Sequence, residues 1–474
     1  MTTKTISLLF GFIACLAFEQ CVAQPAPLRV RKDFSQMTSS EKESLRRGIA
    51  AMKTRDASDP TSWQFQANIH GTPNPTGNPL HRQCQHGTRF FLVWHRGYLH
   101  YFEKILREAA QDPNLTLPYW DWPDQPTLPT EFRLPANNSN PLFDGSRSMN
   151  DGSALPQFTL QRDLTFAFRQ RDFQRFQELL EGPHGTIHVM VGGLMGGVPT
   201  SANDPIFWLH HANVDRQWDH WLRDPTRRNP MDSQFLNRRF QYADADGSTV
   251  TVTAREILSS ARLGYRYDDI PQIQETVVSA EVPAAEENLI AESAIDITES
   301  PDALKLGFAE KRIPLDFNEG GIKAMTSITE SPVANQRVVI KIKGITLKKI
   351  PNFTYAVYLN LPEGEDNEQR MLPHYVGSID FFSGAHGGHG EGHAEAGLGD
   401  EKEDPKFDAE IEVTDIIGEL EKAGDWNPKS ISVTLRPLSP VPPKDIEGEK
   451  SKEYSKSAIE ADISYEKVEV LLER

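Results

Sequence analysis

The chain has 474 residues, and 38% of them are apolar, which is enough for two or three domains with hydrophobic cores. A formal net charge of −17 argues against nucleic acid as a partner. The charge is unevenly placed: residues 24–274 carry a net charge of +1 and residues 275–474 a net charge of −18, which indicates separate domains.

Residues 1–23 have the features of a secretory signal peptide. Lys4 precedes an uncharged run at 6–18, and small residues at 21–23 form a cleavage site. That run is too short to span a bilayer, and no later run is long enough. We therefore expect an exported protein, periplasmic or secreted, without a membrane span. Removal of the signal leaves Cys84 as the single cysteine, so no disulfide can form within the mature chain.

Residues 24–274 are predicted to form a mainly helical domain. Apolar and aromatic residues recur there at helical spacing, and Pro- and Gly-rich loops interrupt the pattern. The predicted helices cover residues 39–52, 89–110, 164–180 and 204–222.

The C-terminal part has a different pattern. Residues 275–310 are acid-rich without strong periodicity, and we interpret them as a linker. Short alternating runs in 311–474 then predict an antiparallel β-sandwich. The predicted strands cover residues 337–345, 353–361, 375–382, 407–417, 430–438 and 463–472. The expected fold is thus a mainly α domain followed by a smaller β-sandwich domain.

The spacing of some histidines indicates a metal site. His184 and His188 are four residues apart, so on a helix they share a face and can hold one metal ion. His210 and His211 follow on the next predicted helix. Because adjacent helical residues point about 100° apart, we expect only one of this pair to share that metal.

A second set of histidines lies upstream and comprises His70, His86 and His95. The nine-residue spacing of His86 and His95 is half a turn out of phase on one helix, so His86 is expected to precede the helix that carries His95. Two groups of three imidazoles, without a cluster of carboxylates or thiolates, suit copper, zinc or iron.

Several motifs occur in this region. They are His86-Gly-Thr-Arg-Phe-Phe-Leu-Val-Trp-His95-Arg-Gly-Tyr, Leu117-Pro-Tyr-Trp-Asp-Trp122, His184-Gly-Thr-Ile-His188-Val-Met-Val-Gly-Gly, Asp204-Pro-Ile-Phe-Trp-Leu-His-His211-Ala-Asn-Val-Asp-Arg216 and Tyr265-Arg-Tyr267. In this order they resemble the motifs of the tyrosinase and polyphenol oxidase (catechol oxidase) family, the type-3 dicopper proteins, which include molluscan haemocyanin. The resemblance covers roughly residues 30–270.

The resemblance implies a four-helix bundle around two copper ions, with O2 as co-substrate. It assigns three histidines to each copper and chooses His211 over His210. The implied ligands are His70, His86 and His95 for copper A, and His184, His188 and His211 for copper B.

The single cysteine matches a further feature of the family. Fungal and haemocyanin-type members carry Cys-X-His at copper A, with a thioether bond from the sulfur to the imidazole. Cys84-Gln-His86 has that spacing, and the bond would fix a ligand that no helix orients. The alternative is a small buried free thiol.

The implied activity is oxidation of o-diphenols, such as catechols and L-DOPA, to o-quinones. Family members with strong tyrosinase activity often carry Asn after the first copper B ligand, where this chain has Gly185. Glu181 lies three residues before His184, whereas the family glutamate often lies four before. We therefore expect weak or lagging monophenol hydroxylation.

Other positions are expected to shape the site. Asp215, one turn after His211, could accept a hydrogen bond from a ligand imidazole. Phe207 and Phe90 are expected to pack against the ligand rings. Val198 resembles a site-entrance position at which a small residue implies open access.

Residues 311–474, including Lys406-Phe407-Asp408, are weakly similar to the C-terminal domain of latent polyphenol oxidases. The resemblance implies a shielding domain that keeps the enzyme latent until a protease or detergent removes it. A stability or partner domain without a gating role is the alternative. The Gly-rich segment with His386, His389 and His393 could bind metal loosely or be a solvated loop.

The expected partners are small phenols, O2 and an activating protease. Two other functions are alternatives: an oxygen carrier of the haemocyanin type, which would share the same ligands, and a copper-binding or storage protein, which the His-rich segment suggests. A zinc hydrolase fits poorly, since no ligand carboxylate or general-base glutamate has the usual spacing.

Overall fold

The computed structural model describes residues 27–270, 295–299, 304–315, 337–384, 406–427 and 431–473. The predicted signal peptide and the histidines at 386, 389 and 393 lie outside the described residues. Among the described helices, none combines the length and the apolarity needed to cross a membrane.

The N-terminal domain is mainly helical, as the periodicity predicts. Thr38 and Glu41 form a capping box at the start of its first helix, and Asp204 caps the helix that Pro205 opens. Its helices are α1 (Ser39–Lys53), α2 (Trp63–His70), α3 (Phe91–Ala110), α4 (Thr130–Arg133), α5 (Gln157–Arg169), α6 (Phe173–Val191), α7 (Pro205–Trp221), α8 (Ser233–Leu236) and α9 (Ala254–Ile257).

The helix predicted at 164–180 is two helices in the structure, α5 and α6. The chain turns at 170–172, where the Asp172 side chain accepts a hydrogen bond from the Arg175 backbone N–H and starts α6. Apolar periodicity continues across this break, so the sequence pattern alone joins the two helices.

Two pairs of short strands complete this domain. The strands β1 (Arg29–Arg31) and β4 (Tyr265–Tyr267) pair in parallel, which brings the two ends of the domain together. The strands β2 (Arg239–Ala243) and β3 (Thr249–Thr253) form an antiparallel pair.

The C-terminal domain contains two antiparallel sheets around an apolar core, which agrees with the predicted sandwich. The four-stranded sheet has the order β10-β9-β12-β7; the second sheet has the order β5-β14-β8-β13-β6, and β11 also pairs with β8. The strands are β5 (Ile295–Glu299), β6 (Leu304–Leu306), β7 (Lys311–Leu315), β8 (Arg337–Thr346), β9 (Thr354–Leu359), β10 (Tyr375–Ser378), β11 (Lys406–Glu412), β12 (Ile431–Leu438), β13 (Ile463–Tyr465) and β14 (Lys467–Glu473). The helices are α10 (Glu368–Met371), α11 (Phe381–Gly384), α12 (Thr414–Ala423) and α13 (Glu447–Ala461).

Three predicted boundaries in this domain are wrong. The linker predicted at 275–310 contains β5 and β6, which pair with β14 and β13, so the sheet begins within it. The strand predicted at 375–382 ends at Ser378 and is followed by α11, and the strand predicted at 407–417 ends at Glu412 and is followed by α12. Apolar residues continue past each strand end because the short helices are also buried.

Ion pairs join the nearly neutral helical domain to the acidic C-terminal domain. Arg175 contacts Glu412 at 2.6 Å, and Arg162 contacts Glu419 at 2.7 Å. Each such pair at a partly exposed position contributes little alone, about 0–1 kcal/mol. Together with the apolar contacts they place the β domain over α6.

Candidate metal centre

Four helices and one loop bring the six predicted ligands together. The two helices α6 and α7 each contribute histidines from their buried faces, and α2 and α3 contribute one each. His70 ends α2, His86 lies in the loop before α3, His95 is on α3, His184 and His188 are on α6, and His211 is on α7.

The three histidines predicted to bind copper B converge on one point. The Nε2 atom of His211 lies 3.3 Å from Nε2 of His184 and 3.2 Å from Nε2 of His188. Three imidazole nitrogens that face one another in a buried site cannot all be satisfied by hydrogen bonds among themselves. A metal ion at their centre would satisfy them.

Backbone carbonyls orient three of the rings. The Nδ1 atom of His70 donates to Val198 O at 3.1 Å, that of His95 to Phe91 O at 2.8 Å, and that of His188 to Met195 O at 2.9 Å. Each bond places the proton on Nδ1 and leaves the Nε2 lone pair for a metal.

Burial favours the neutral form of four of the predicted ligand rings, which is the form that binds a metal. Burial lowers the pKa of His95 to about 3 and holds the pKa values of His184, His188 and His211 well below the ordinary histidine value. Neutral nitrogen ligands without carboxylates fit copper, as the resemblance implies, and suit magnesium or calcium poorly.

The other predicted set lies beside this one. The His86 ring is 5.1 Å from both the His70 and the His95 ring, measured between centroids. The His95 and His211 rings stack at 4.4 Å, so the two sets adjoin, as a pair of metal ions requires. The Cys84 sulfur and one nitrogen each of His70 and His86 lie within 4.8 Å of one another. Burial raises the pKa of the Cys84 thiol to about 12.

The structure differs from the prediction that only one of His210 and His211 can reach the metal of His184 and His188. One ligand nitrogen from each of these four residues lies within 4.8 Å of the other three. His210 and His211 project from α7 about 100° apart. Both rings still lie close to His184 and His188, because these α6 histidines lie between the two directions.

The aromatic residues around the rings match the prediction in part. Phe207 lies 4.2 Å from the His211 ring and 4.9 Å from the His70 ring, so it packs at the site. Phe90 instead stacks on Phe235 at 5.2 Å, away from the ligands. Its neighbour Phe91 takes the expected place, 4.9 Å from both His95 and His184.

The expectation that Asp215 accepts a hydrogen bond from a ligand imidazole is wrong. Its carboxylate accepts from Arg96 Nε at 2.6 Å, from Arg31 Nη1 at 3.3 Å, and from the hydroxyls of Tyr265 and Tyr267 at 2.6 Å each. Arg31 and the two tyrosines come from β1 and β4, which sequence spacing could not place beside α7. Asp215 therefore links α7 to the paired strands β1 and β4.

Glu181 and Gly185 meet the C-terminal domain. Glu181 accepts a hydrogen bond from Gly87 N–H at 2.7 Å and contacts the Ser383 hydroxyl at 3.4 Å. Burial, and to a lesser degree the nearby Asp380 carboxylate, raises the pKa of Glu181 to about 8. A Cβ atom added to Gly185 would lie 2.6 Å from Cγ of Asp380, so Asp380 occupies the space where a side chain would project.

Phe382 of α11 covers the metal centre. Its ring stacks on His188 at 3.9 Å with an angle of 11° between the planes, and it lies 5.3 Å from His86 and 5.6 Å from His184. The Asp380 side chain accepts from the backbone N–H groups of Phe382 and Ser383 at 2.8 and 3.2 Å, which fixes this turn.

Sequence reasoning identified neither Phe382 nor Asp380. The available signal is Asp380, which can cap a helical turn, followed directly by Phe381 and Phe382. We missed it because these residues fall within the strand predicted at 375–382. Val198, expected to leave an open entrance, joins the apolar cluster of the C-terminal domain and is 9% exposed. In this structure the C-terminal domain therefore packs against Val198.

Family models match most of the chain. A model described as the common central domain of tyrosinase matches residues 60–157 and 133–224, and one described as the polyphenol oxidase middle domain matches residues 229–276. A domain of unknown function matches residues 296–449.

One curated relative is similar to most of the chain, and others are similar to about half of it. Tyrosinase HcTyr1 of Hahella sp. is 27% identical over 87% of this chain and 96% of that protein. Haemocyanin beta-C chain unit G of Helix pomatia is 32% identical over 52% of this chain and 67% of that unit. The matches to several plant polyphenol oxidases span about half the length of those proteins.

Among solved structures, recombinantly expressed latent aurone synthase, a polyphenol oxidase, has a TM-score of 0.60 at 20% identity. The match covers 95% of this chain and 90% of that chain, and at this identity it concerns the fold. Taken with the family models and the haemocyanin unit, it shows that the chain belongs to the tyrosinase and polyphenol oxidase family of type-3 dicopper proteins.

Proposed function

We propose that this protein is a copper-dependent oxidase that uses O2 to convert o-diphenols to o-quinones, and that it is made in a latent form. The observation that carries the proposal is the convergence of six imidazoles, five of them buried, in two adjoining sets. A bound copper pair would supply redox chemistry with O2; the protein would supply ligands, substrate access and a covered site.

The proposed ligands are the two sets that the resemblance assigns. His70, His86 and His95 would hold copper A, and His184, His188 and His211 would hold copper B. The carbonyl bonds to Nδ1 of His70, His95 and His188 support this assignment, since they leave Nε2 free to bind a metal.

A thioether between Cys84 and His86 is part of the proposal. The Cys84 sulfur lies within 4.8 Å of a ring nitrogen of His86. His86 lies in the loop before α3, so no described helix orients its ring. A covalent bond would hold this ring in place while the helices orient the others. Formation of the bond breaks the S–H bond and one ring C–H bond and releases two protons and two electrons, which O2 would accept at the copper-loaded site. Intact-mass measurement of the copper-loaded chain would reveal the bond as a loss of two hydrogens.

The substrate preference is proposed from Gly185 and Glu181. Gly185 offers no side chain to orient a water molecule beside a phenol, and in the uncleaved chain burial raises the pKa of Glu181 to about 8, which disfavours its ionised, basic form. A monophenol needs a base for its hydroxyl proton more than a catechol does. We therefore expect o-diphenols to be oxidised much faster than monophenols.

Latency is proposed from Phe382. A phenol that reaches copper B has to use the ring face of His188, which Phe382 occupies at 3.9 Å. Removal of the C-terminal domain by a protease, between the two domains, would clear this face. Export after signal cleavage is proposed on the sequence features of residues 1–23.

One experiment tests the main proposal. The purified full chain is loaded with copper, and O2 uptake is measured with L-DOPA and with L-tyrosine before and after limited proteolysis, with copper counted per chain. We expect two copper ions, a strong rise in L-DOPA oxidation after proteolysis, and slow or lagging L-tyrosine hydroxylation.

Equal rates on the two substrates would refute the diphenol preference, and an unchanged rate after cleavage would refute latency. Reversible O2 binding without catechol turnover would favour an oxygen carrier instead, a possibility that the match to the haemocyanin unit keeps open.

Substitution of Gly185 tests whether the C-terminal domain covers the metal centre through its contact at Asp380. Gly185→Ala would force Asp380 and its helical turn outward, because the new Cβ would lie 2.6 Å from the Asp380 Cγ. Overpacking of this kind costs about 1–3 kcal/mol, so we expect L-DOPA oxidation by the uncleaved chain to rise by about five- to a hundredfold. The proteolysed enzyme should change little.

Gly182→Ala is the matched control for this substitution. It lies on the same helix, and an added Cβ there meets nothing within 4 Å. Equal activation by both substitutions would show that the effect arises from α6 itself and not from the contact with Asp380.

A further inference from the structure

A seventh histidine lies in the metal centre without a role in either ligand set. His210 is completely buried, and its ring stacks on the His184 ring at 5.2 Å and lies 4.8 Å from the His188 ring. Neither of its ring nitrogens has a side-chain hydrogen-bond partner among the described residues, and the contact with the His184 backbone serves at most one of the two.

Packing alone does not explain an imidazole at this position. A buried polar group without a partner costs free energy, whereas an apolar side chain of similar size would fill the same space without that cost. The other buried histidine outside the two ligand sets, His374, follows the usual rule and donates from Nδ1 to Leu359 O at 2.9 Å. His210, which lies at the metal centre, does not follow that rule.

The geometry allows His210 to bind the same metal as its neighbours. One ligand nitrogen from each of His184, His188, His210 and His211 lies within 4.8 Å of the others. The His210 and His211 rings are 5.2 Å apart at an angle of 71°, so they approach the shared α6 pair from two directions. An imidazole in its neutral form offers one nitrogen lone pair to a metal.

We propose that His210 gives the copper B position a second ligand set, in which His210 replaces His211 beside His184 and His188. The inference rests on the proposed function as a dicopper protein. In this arrangement the metal keeps three nitrogen ligands when the His211 ring moves away, so His210 retains copper during loading and during rearrangement of the site.

The decisive experiment counts copper in three variants of the full chain: His211→Leu, His210→Leu and the double variant. Each chain is loaded with copper and separated from free metal by gel filtration. We expect His211→Leu to retain two copper ions per chain, because His210 takes over, and the double variant to retain one. We expect His210→Leu to retain two but to release one to a chelator about tenfold faster or more.

Two controls make the result specific. His220→Leu removes a histidine from the same helix that contacts Asp269 near the surface, and its copper content and release rate should equal those of the wild type. The unfolding temperature of each metal-free variant shows whether it folds, and His210→Gln, which keeps a polar side chain in the same space, replaces His210→Leu if that variant does not.

The outcomes separate the two proposals. Loss of one copper from His211→Leu, with two retained by the wild type, would overturn the second ligand set alone. A release rate of His210→Leu or His210→Gln equal to that of the wild type would also overturn it. A wild-type chain that binds no copper would overturn the proposed function and the second ligand set together.

Discussion

Replacement of Phe382 by alanine is expected to raise L-DOPA oxidation by the uncleaved chain by about ten- to a hundredfold. The ring is fully buried and stacks on His188 at 3.9 Å, so its removal weakens the closed arrangement and clears the ring face that a phenol needs. Burial of a phenylalanine side chain contributes about 1.5–3 kcal/mol, and each 1.4 kcal/mol shifts an equilibrium tenfold. The rates of both proteins are measured by O2 uptake at equal copper content.

Phe158→Ala, which truncates an aromatic side chain that is 43% exposed on α5, serves as the control and should leave the uncleaved chain latent. After proteolysis, the Phe382→Ala variant and the wild type should have equal rates. An uncleaved variant no faster than the uncleaved wild type would show that Phe382 does not restrict access.

Replacement of Asp215 by alanine is expected to lower the free energy of unfolding by about 3–5 kcal/mol, the usual cost of leaving buried charges unpaired. Its carboxylate is the shared acceptor of Arg31, Arg96, Tyr265 and Tyr267, and both guanidinium groups are completely buried. Urea unfolding of the catalytic region, followed by tryptophan fluorescence, measures the loss.

Glu43→Ala provides the comparison, because this exposed carboxylate lies 4.0 Å from Arg46 and its loss should change stability by about 0.5 kcal/mol or less. A similarly small change for Asp215→Ala would contradict the role assigned to the network.

The loss of folding stability at low pH provides a second test of the role of Asp215. Burial by itself would raise the pKa of Asp215, but Arg96 and Arg31 outweigh it and hold the pKa below the ordinary aspartate value. The carboxylate therefore stabilises the fold fully above the pKa of the unfolded chain, and this contribution is lost as the pH falls through the lowered pKa. The alanine variant should lack this part of the acid dependence.

The helices with regular apolar spacing were predictable from sequence because their signals are local. The spacing of large residues placed α3 to within two residues, and the capping residues before α1 and α7 marked their starts. The break between α5 and α6 was not predictable from apolar periodicity, since both helices bury residues that continue one pattern. The strands β5 and β6 were missed because acidic residues dominate the composition around them.

The candidate site was predictable where motifs carry it and not where topology does. The six ligand positions rest on spacing and resemblance, and the structure brings those six rings together. Asp215 was misassigned because its partners Arg31 and Tyr265 reach it through strand pairing across more than 200 residues of chain. Phe382 comes from another domain, and no local pattern links it to His188.

The contact between Phe382 and His188 has a consequence for the proposed latent form. In that form the C-terminal domain would act as a competitive ligand tethered to the oxidase. Its strength would combine its own contacts with an effective concentration set by the segment that joins the domains. Cutting that segment alters no contact at His188 but converts an intramolecular ligand into one that can dissociate. The activity gained on cleavage should therefore increase further when the cleaved enzyme is diluted.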